Sequence, residues 1–298
     1  MTSESVYLDL NTLNATSKAA ENKERILILT PLLKRNAIDH LDRYFELLDQ
    51  STYPNHLISI GLLVSTQDDV DPLLIAVQQM IQRLERRWFH AFHDITVYNK
   101  DFLYDFNNDD HSQDDFKLQP YRRSMMARAR NYLLSSALEP DHSWVAWVDV
   151  DLASYPSNVF DDLMAHDVDV IVPNCLLATE DGSFWGYDRR NWQETDYSSR
   201  FQRTIGDDFV MMEGYDDQLA TGRSRMVDMP TQVGIDYKVP LDGVGTSFTL
   251  VKAHVHREGA NFPSFPLQHQ VDSEGFGRMV RGMGYEVYGL PSYFVYHS

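Results

Sequence analysis

A pair of carboxylates closes an apolar run near the middle of the chain. Residues 143–148 are largely apolar and of strand length, and Asp149 and Asp151 follow directly. The carboxyl edge of the sheet is where α/β folds bind their ligands. Two carboxylates that close repel each other unless a cation lies between them. The spacing therefore predicts a site for Mg²⁺ or Mn²⁺, ions that commonly hold substrate phosphates. The alternative is chance occurrence in a chain with 44 Asp and Glu residues.

A basic helix is predicted immediately before this strand, over residues 119–134. Four arginines lie in it: Arg122, Arg123, Arg128 and Arg130. Arg123 and Arg130 share a helix face, and guanidinium groups match phosphate oxygens in bidentate geometry. The segment therefore predicts a clamp for a diphosphate, with the Asn131 amide directed at the same ligand. The alternative is a helix that pairs with local carboxylates.

The last third of the chain holds the other polar group of interest. His297 ends an apolar run, and a neutral imidazole at that point is suited to complete the coordination shell of an ion held by Asp151. An ordinary surface histidine is the alternative. The Gly-x-Gly piece in residues 239–247 lacks the strand-to-helix setting of a dinucleotide fingerprint, which excludes a Rossmann dehydrogenase.

The elements that must position these groups alternate between apolar strands and amphipathic helices, which is typical of a layered α/β domain. Strands are predicted at residues 25–31, 57–65, 94–98 and 167–174, and helices at residues 37–48 and 73–92. The acidic stretch 105–115 is interpreted as a surface loop. Residues 1–24 are polar and predict a flexible leader, so we expect one catalytic domain over residues 25–298.

Residues 178–237 show little periodicity and contain several Trp and Tyr residues among many carboxylates, including Trp185, Tyr187, Trp192, Tyr197 and Tyr215. Aromatic rings stack on the apolar faces of sugars while carboxylates accept from their hydroxyls. The segment is therefore a candidate sugar-binding surface. The alternative is that the aromatics seal a small subdomain.

Composition limits the possible functions. The chain has 298 residues, 43% of them hydrophobic, and a formal net charge of −18. This charge argues against binding that depends on neutralising nucleic-acid phosphates or anionic lipids. A single cysteine, Cys175, excludes an intramolecular disulfide. No stretch approaches the roughly 18 apolar residues of a membrane span, and the glycosylation sequon at Asn14 is a weak indication of a secretory lumen.

Taken in order, several longer motifs resemble one family. They are ILILTPL, RRSMMARARNYLL, WVAWVDVDLASYP, DVIVPNC, GVGTSFTLVKAHVHREGANFP and EGFGRMVRGMGYEVYGLPSYFVYH. Together they are similar to the fungal Anp1 family, glycosyltransferase family 62, over residues 25–297. Members of that family are the α-1,6-mannosyltransferase subunits of the Golgi mannan polymerases.

The resemblance implies a GT-A glycosyltransferase fold, which is a single Rossmann-like nucleotide-binding α/β domain with a mixed central sheet. It also implies GDP-mannose as donor, Mn²⁺ (with Mg²⁺ possible) as cofactor, and retaining transfer to the 6-hydroxyl of a mannose-containing glycan acceptor. Asp149 and Asp151 match the family's Asp-x-Asp motif, and His297 matches its C-terminal metal-binding histidine. The remaining donor-site positions carried over are Pro31, Ser65, Asp69, Arg122, Arg128 and Asn131.

Asp242 and Glu274 are the candidates to orient or deprotonate the acceptor, or to stabilise positive charge at the anomeric carbon. A capping role at a turn or helix start is the alternative. The resemblance further implies a homo- or hetero-oligomeric complex and the Golgi lumen. Family members have a cytosolic tail and one membrane span, both lacking here, so we expect a lumenal fragment.

Two other classes of protein stay open at this point. An Mg²⁺-dependent phosphohydrolase also uses Asp-x-Asp after a buried strand, although Ala153 stands where that superfamily has Thr or Val. A catalytically weak scaffold subunit of a polymerase complex is the other.

Overall fold

The structure is a computed structural model that describes residues 7–9, 14–86, 91–103 and 116–298. The strands are β1 (Arg25–Leu32), β2 (Ile58–Val64), β3 (Asp94–Asn99), β4 (His142–Val148), β5 (Leu152–Ser154), β6 (Val170–Leu177), β7 (Trp192–Gln193), β8 (Ser224–Arg225), β9 (Val239–Pro240), β10 (Phe248–Lys252) and β11 (Val287–His297). The helices are α1 (Leu41–Asp49), α2 (Pro72–Glu85), α3 (Gln119–Ala137), α4 (Val159–Ala165), α5 (Asp196–Gln202), α6 (Ala253–Arg257) and α7 (Asp272–Gly282).

Among the described residues, nine strands form one mixed sheet. Its order is β3-β2-β1-β4-β10-β6-β11-β5, and β9 pairs with β11. Strands β3, β2, β1 and β4 run parallel to one another, whereas β10 is antiparallel to both β4 and β6. Strands β7 and β8 form a separate pair. The mixed central sheet predicted for this chain is therefore confirmed.

Apolar residues cover both faces of the sheet. In β1, Ile26 and Ile28 belong to one buried cluster, which also takes residues from α1, α2 and α4. Leu27 and Leu29 belong to a second cluster, which takes residues from α3, α6 and α7. Successive side chains of a strand point to opposite faces, so burial on both faces explains why the strands are continuous apolar runs.

The predicted element boundaries shift at two helices. The helix predicted over residues 37–48 is divided into a 3₁₀ turn at Arg35–His40 and the α-helix Leu41–Asp49. The helix predicted over residues 73–92 begins one residue earlier and ends at Glu85. The acidic stretch 105–115 lies outside the described residues. Within the part of the chain that is described, no helix is long and apolar enough to cross a bilayer.

Part of the predicted leader packs on the domain. Residues 17–23 form turns, and Ala19 is buried in the core. The Glu24 carboxylate accepts from the Thr16 hydroxyl at 2.6 Å and from the Trp144 indole N–H at 3.0 Å. The polar composition of residues 1–24 predicts flexibility. It does not reveal this anchoring, because the partner Trp144 lies far along the chain.

Candidate active site

The acidic pair meets a histidine from the far end of the chain. Asp149 and Asp151 follow β4, and β11 places His297 opposite Leu152 of β5 and Leu177 of β6. One ligand atom from each of the three side chains lies within 4.8 Å of the others. His297 Nε2 is 3.0 Å from Asp151 Oδ1. Tertiary pairing thus assembles a three-residue cluster that could hold a metal ion.

The orientation of His297 is set by its surroundings. Its Nδ1 donates to the Ser298 carbonyl at 2.9 Å, so Nε2 is the nitrogen that faces Asp151. The Tyr187 ring stacks on the imidazole with centroids 3.8 Å apart. An imidazole whose second nitrogen is held by a carbonyl is the usual arrangement of a metal-ligating histidine.

The charges in this cluster are strongly coupled. Burial and the neighbouring Asp151 raise the pKa of Asp149 to about 6. Burial is the largest influence on the pKa of Asp151 and acts to raise it, but the hydrogen bond and the charge of His297, with smaller contributions, together lower the pKa. Burial is likewise the largest influence on the pKa of His297 and acts to lower it, but the hydrogen bond and the charge of Asp151, with smaller contributions, together raise the pKa. Two carboxylate oxygens and one imidazole nitrogen suit Mn²⁺ or Mg²⁺. A divalent cation would also relieve the repulsion from Asp151 that contributes to the raised pKa of Asp149.

A cavity of about 540 Å³ opens beside the cluster. Its walls come from the end of β1 and the following 3₁₀ turn, from α3, from the turn after β4, and from two irregular segments. The polar residues in these walls are Lys34, Asn36, His40, Gln119, Arg122, Arg123, Arg130, Asp149, Asp151, Tyr187, Asp188, Arg189, Arg190, Glu213, Tyr215, Asp272 and His297. The cavity therefore joins carboxylates, a histidine and several arginines, a combination that suits a metal-bound diphosphate.

The predicted basic helix contributes to this cavity on one face only. Arg122, Arg123 and Arg130 of α3 line it. Arg128 is exposed and its guanidinium contacts the Met125 sulfur at 3.4 Å. The lining arginines lie on a helix face that excludes Arg128.

Three other predicted donor-site residues have different surroundings. The Asn131 amide donates to the Phe262 carbonyl at 2.7 Å, and its oxygen accepts from the Phe262 N–H at 2.8 Å, so both ends are used in packing α3. Ser65 accepts from the Phe102 N–H at 3.3 Å, and Asp69 is exposed. None of the three is among the cavity-lining residues, whereas Pro31 is.

The two predicted acid/base residues lie in a buried ionic network outside the cavity lining. Glu274 is 1% exposed, accepts from the Trp192 indole N–H at 2.8 Å and pairs with Arg123. Asp242 accepts from a backbone N–H at 2.8 Å and lies 3.2 Å from Arg281 Nε. Both carboxylates already have structural partners, and their catalytic role stays a prediction.

Several lining residues belong to no sequence motif that predicts a site, among them Asp188, Arg190 and Glu213. Asp188 is 3% exposed and accepts from Arg190 Nε at 3.0 Å. Burial acts to lower the pKa of Arg190, but the charges of Asp188, Asp149 and Asp272 raise it. Burial raises the pKa of Glu213.

The glycine-bearing loop at residues 239–247 is the local sequence feature that lies beside Asp188. A Cβ atom at Gly245 would lie 1.7 Å from the Asp188 carboxylate, so this close packing requires a glycine at that position. For Glu213 the surrounding sequence shows no periodicity from which its position could be inferred.

Comparison with known proteins gives relatives over nearly the whole chain. The model of the family described as Anp1 matches residues 4–266. The mannan polymerase II complex anp1 subunit of Schizosaccharomyces pombe is 40% identical over 280 residues, which are 92% of this chain and 64% of that protein. The mannan polymerase complex subunit MNN9 of Candida albicans is 36% identical over 300 residues, covering 98% of this chain and 79% of that protein. This chain therefore spans less than two thirds of the first of these relatives.

One solved structure supports the fold assignment. The mannosyltransferase PcManGT from Pyrobaculum calidifontis, in complex with GDP-Man and Mn²⁺, aligns with a TM-score of 0.50 at 12% identity, over 96% of this chain and 59% of that chain. At this identity the likeness shows the fold alone. Together with the mixed sheet, it confirms the predicted GT-A glycosyltransferase fold.

Proposed function

Because this chain belongs to the Anp1 family, we propose that it is a metal-dependent mannosyltransferase that moves mannose from GDP-mannose to a mannoside acceptor. The observation that carries this proposal is the cluster of Asp149, Asp151 and His297 beside a cavity lined by arginines. The relatives' names refer to mannan polymerase complexes, which supports a role in mannan synthesis. The PcManGT structure holds GDP-Man and Mn²⁺, which supports the donor and the cofactor proposed here.

The proposed metal ligands are Asp149, Asp151 and His297. When bound, a divalent cation supplies Lewis-acid assistance by neutralising charge that develops on the departing diphosphate. The protein holds two carboxylates and the His297 imidazole in one arrangement. The Ser298 carbonyl and the Tyr187 ring fix the orientation of the imidazole. A prearranged ligand set does not have to be reoriented when the charge develops.

The proposed diphosphate contacts are the arginines of α3 that line the cavity. Arg130 pairs with Asp272 and Arg123 pairs with Glu274. These buried carboxylates hold the two guanidinium groups in place. Arg122, on the same cavity wall, is the third. Held guanidinium groups lose less side-chain entropy on binding a phosphate than free ones do.

We propose retaining α-1,6 transfer, a lumenal Golgi location and assembly with further subunits, on the family resemblance. Retention requires either a carboxylate nucleophile on the face opposite GDP, or attack by the acceptor from the face that GDP leaves. Asp242 and Glu274 remain the predicted residues for that step. Pro31, at the cavity wall, and Ser65 and Asp69 beyond it remain the predicted nucleoside contacts.

The test is mannose transfer from GDP-mannose to a small α-mannoside in the presence of Mn²⁺. The wild-type protein is compared with Asp151→Ala and with Asp42→Ala, a control that removes an exposed carboxylate paired only with exposed Arg83. We expect an α-1,6 product, identified by NMR, that is lost in Asp151→Ala and kept in the control. Absence of GDP binding in the wild type would contradict the proposal, and release of free mannose or phosphate without an acceptor product would favour a hydrolase.

A scaffold role is the second candidate, because the relatives are named as subunits of complexes. GDP-mannose binding without transfer by the isolated chain, with transfer restored by a partner subunit, would favour it. Activity of the isolated chain would exclude it as the sole function.

A further inference from the structure

A second cavity lies at the edge strand of the sheet. Its volume is about 460 Å³, and its lining includes residues from the end of β5, from α4 and from the second half of β11. Four aromatic side chains line it, namely Tyr155, Tyr293, Phe294 and Tyr296. Among the described residues the metal cluster is separate from this cavity, because neither Asp149, Asp151 nor His297 lines it.

The polar groups of this cavity are few and fixed. The Tyr293 hydroxyl donates to Asp162 at 2.7 Å, so the carboxylate is held at the wall. Ser292 is 8% exposed, and its hydroxyl has no hydrogen-bond partner among the residues that the structure describes. A buried hydroxyl without a partner costs free energy that a ligand with its own hydroxyls can recover. Aromatic walls with a few placed polar groups are the composition of a carbohydrate subsite.

Exposed aromatic residues connect this cavity to the metal cluster. The Phe184 ring lies 6.3 Å from that of Phe294, at the cavity wall. Three residues later, the Tyr187 ring stacks on His297. Phe184 is 51% exposed and Trp185 is 56% exposed.

Backbone hydrogen bonds hold this aromatic segment against the end of β6. The Leu177 N–H donates to the Trp185 carbonyl at 2.8 Å, and the Tyr187 N–H donates to the Cys175 carbonyl at 3.0 Å. The rings therefore have a defined position although they face solvent. Tyr296 and His297 are neighbours in β11 and point to opposite faces, so the segment lies along a route from one face to the other.

We propose that this cavity and the aromatic segment bind the part of a mannose oligosaccharide that lies beyond the reacting sugar. The inference rests on the proposed function, because it assigns to the acceptor a path away from the metal cluster. A chain of several sugars would contact Tyr187, Trp185 and Phe184 in turn and end in the cavity. A single mannoside would contact only the region of the metal cluster.

The choice of a glycan over a protein partner rests on the chemistry of the walls. Three hydrogen-bonding residues, Ser154, Asp162 and Ser292, accompany the four aromatics. Ile235 is the one aliphatic side chain other than proline in the lining. The core of a protein interface is depleted in charged residues, whereas a carboxylate is suited to accept from sugar hydroxyls.

The experiment measures binding of methyl α-mannoside and of α-1,6-mannotetraose to the whole chain without GDP-mannose or metal. Maltotetraose is the control ligand. The variants are Phe184→Ala with Trp185→Ala, and separately Phe294→Ala; Phe265→Ala, which removes a ring 65% exposed elsewhere, is the matched control. We expect the Kd of the tetraose to rise about three- to tenfold in the first two variants, since a ring contact is worth roughly 0.5–1.5 kcal/mol. The preference for tetraose over monosaccharide should fall accordingly.

Three results would overturn the inference. They are equal affinity of the wild type for the mannose and glucose oligosaccharides, an unchanged tetraose Kd in both variants, and a change of oligomeric state instead of glycan affinity. Because no donor is present, a loss of transfer activity leaves this readout intact. Tetraose binding that depends on Phe184 in a protein without transfer activity would overturn the proposed function and retain the glycan site.

Discussion

Two clusters of charged residues in this protein have similar composition and different surroundings. In the metal cluster, Asp149 and Asp151 lie at a cavity wall and are partly exposed, and burial together with the charge of Asp151 raises the pKa of Asp149. In the second cluster, which we call the Trp192 network, Arg223 is stacked on the Trp192 ring at 3.6 Å. There, Arg223 and Glu274 have side chains that are 0% and 1% exposed.

The difference between the clusters is whether each charge has a partner in the protein. In the Trp192 network, Glu274 accepts from Trp192 and pairs with Arg123, and Arg223 pairs with Glu194 and Glu213. In the metal cluster, two carboxylates share one histidine. Charges that the protein pairs internally serve stability, and charges held close without enough counter-charge are typical of a functional site.

The largest effect should come from breaking the metal cluster. Asp151→Asn removes a ligand charge, and we expect mannosyl transfer to fall by about a hundred- to a thousandfold, the range seen when a preorganised electrostatic group is lost. The free energy of unfolding should change by no more than about 1 kcal/mol, because the change also relieves repulsion with Asp149. Transfer assays and chemical denaturation measure the two effects. A strongly destabilised variant would contradict the separation of the clusters.

Breaking the Trp192 network should have the opposite signature. Glu274→Ala leaves Arg123 and Arg223 buried without this partner, and we expect the free energy of unfolding to fall by about 3–5 kcal/mol. Glu274→Gln keeps an oxygen for the Trp192 indole and should cost less. If Glu274→Gln instead unfolds and binds GDP like the wild type and has lost transfer, the predicted acid/base role of Glu274 is supported.

The stacked tyrosine tests how far the metal cluster depends on its support. Tyr187→Leu removes the ring against His297, and we expect the Kd for Mn²⁺ to rise about tenfold, as is typical when a residue that orients a ligand is lost. Tyr187→Phe keeps the stack and should bind Mn²⁺ like the wild type. Isothermal titration of Mn²⁺ distinguishes the two. Equal Kd values for Leu and wild type would show that β-sheet pairing alone holds the imidazole.

A buried histidine outside both clusters provides a pH-dependent comparison. His256 has its Nδ1 facing the Ala260 carbonyl at 2.8 Å and its Nε2 facing the Trp147 indole N–H at 3.3 Å. Burial lowers its pKa from 6.5 to about 4. Between these values the unfolded chain binds a proton that the folded chain does not, so stability falls as the pH falls below 6.5.

We expect this histidine to reduce the free energy of unfolding by up to about 1.4 kcal/mol per pH unit between pH 6.5 and 4, with no effect above 6.5. His256→Phe should show a correspondingly shallower decline, and His56→Gln, at an exposed position, should not. Denaturation curves at pH 7.5 and 5.5 measure the difference. Parallel declines in all three proteins would contradict the assignment.

The smallest effect is expected at Asp242. Asp242→Asn keeps an oxygen for the backbone N–H of Glu194 and weakens the pairing with partly exposed Arg281. We expect a loss of about 1 kcal/mol or less in stability, and transfer within about threefold of the wild type would leave Asp242 a structural role only. A hundredfold loss of transfer without loss of stability would place Asp242 in the chemistry and move the boundary between the two clusters.

Local patterns predicted much of the fold. Strands covered by helices on both faces are continuous apolar runs, so the central strands were recognisable within a few residues. The Asp-x-Asp after β4 and the helical character of α3 are likewise local properties. The division of residues 35–49 into a 3₁₀ turn and an α-helix was not predicted, because both share the same apolar spacing.

The candidate site was less predictable because its selection depends on partners from distant segments. All four arginines of α3 were predicted to belong to one diphosphate clamp, yet only Arg122, Arg123 and Arg130 line the cavity. Asn131, an apparent phosphate contact, is used by the Phe262 backbone. Glu213 lies in a segment without periodicity, so no local pattern predicts that it lines the cavity.

The sequence by itself determined the layered α/β class, the position of the carboxylate pair and the family, since these follow from apolar spacing and contiguous motifs. The sequence also predicted that His297 joins Asp151 around an ion. Only the tertiary structure decided that Tyr187 stacks on His297 and that Glu274 is enclosed by Trp192 and Arg123. The physical reason is that the environment of a charge is set by burial and by partners that other strands and loops bring to it. Those partners are distant in the chain, so local spacing carries no record of them.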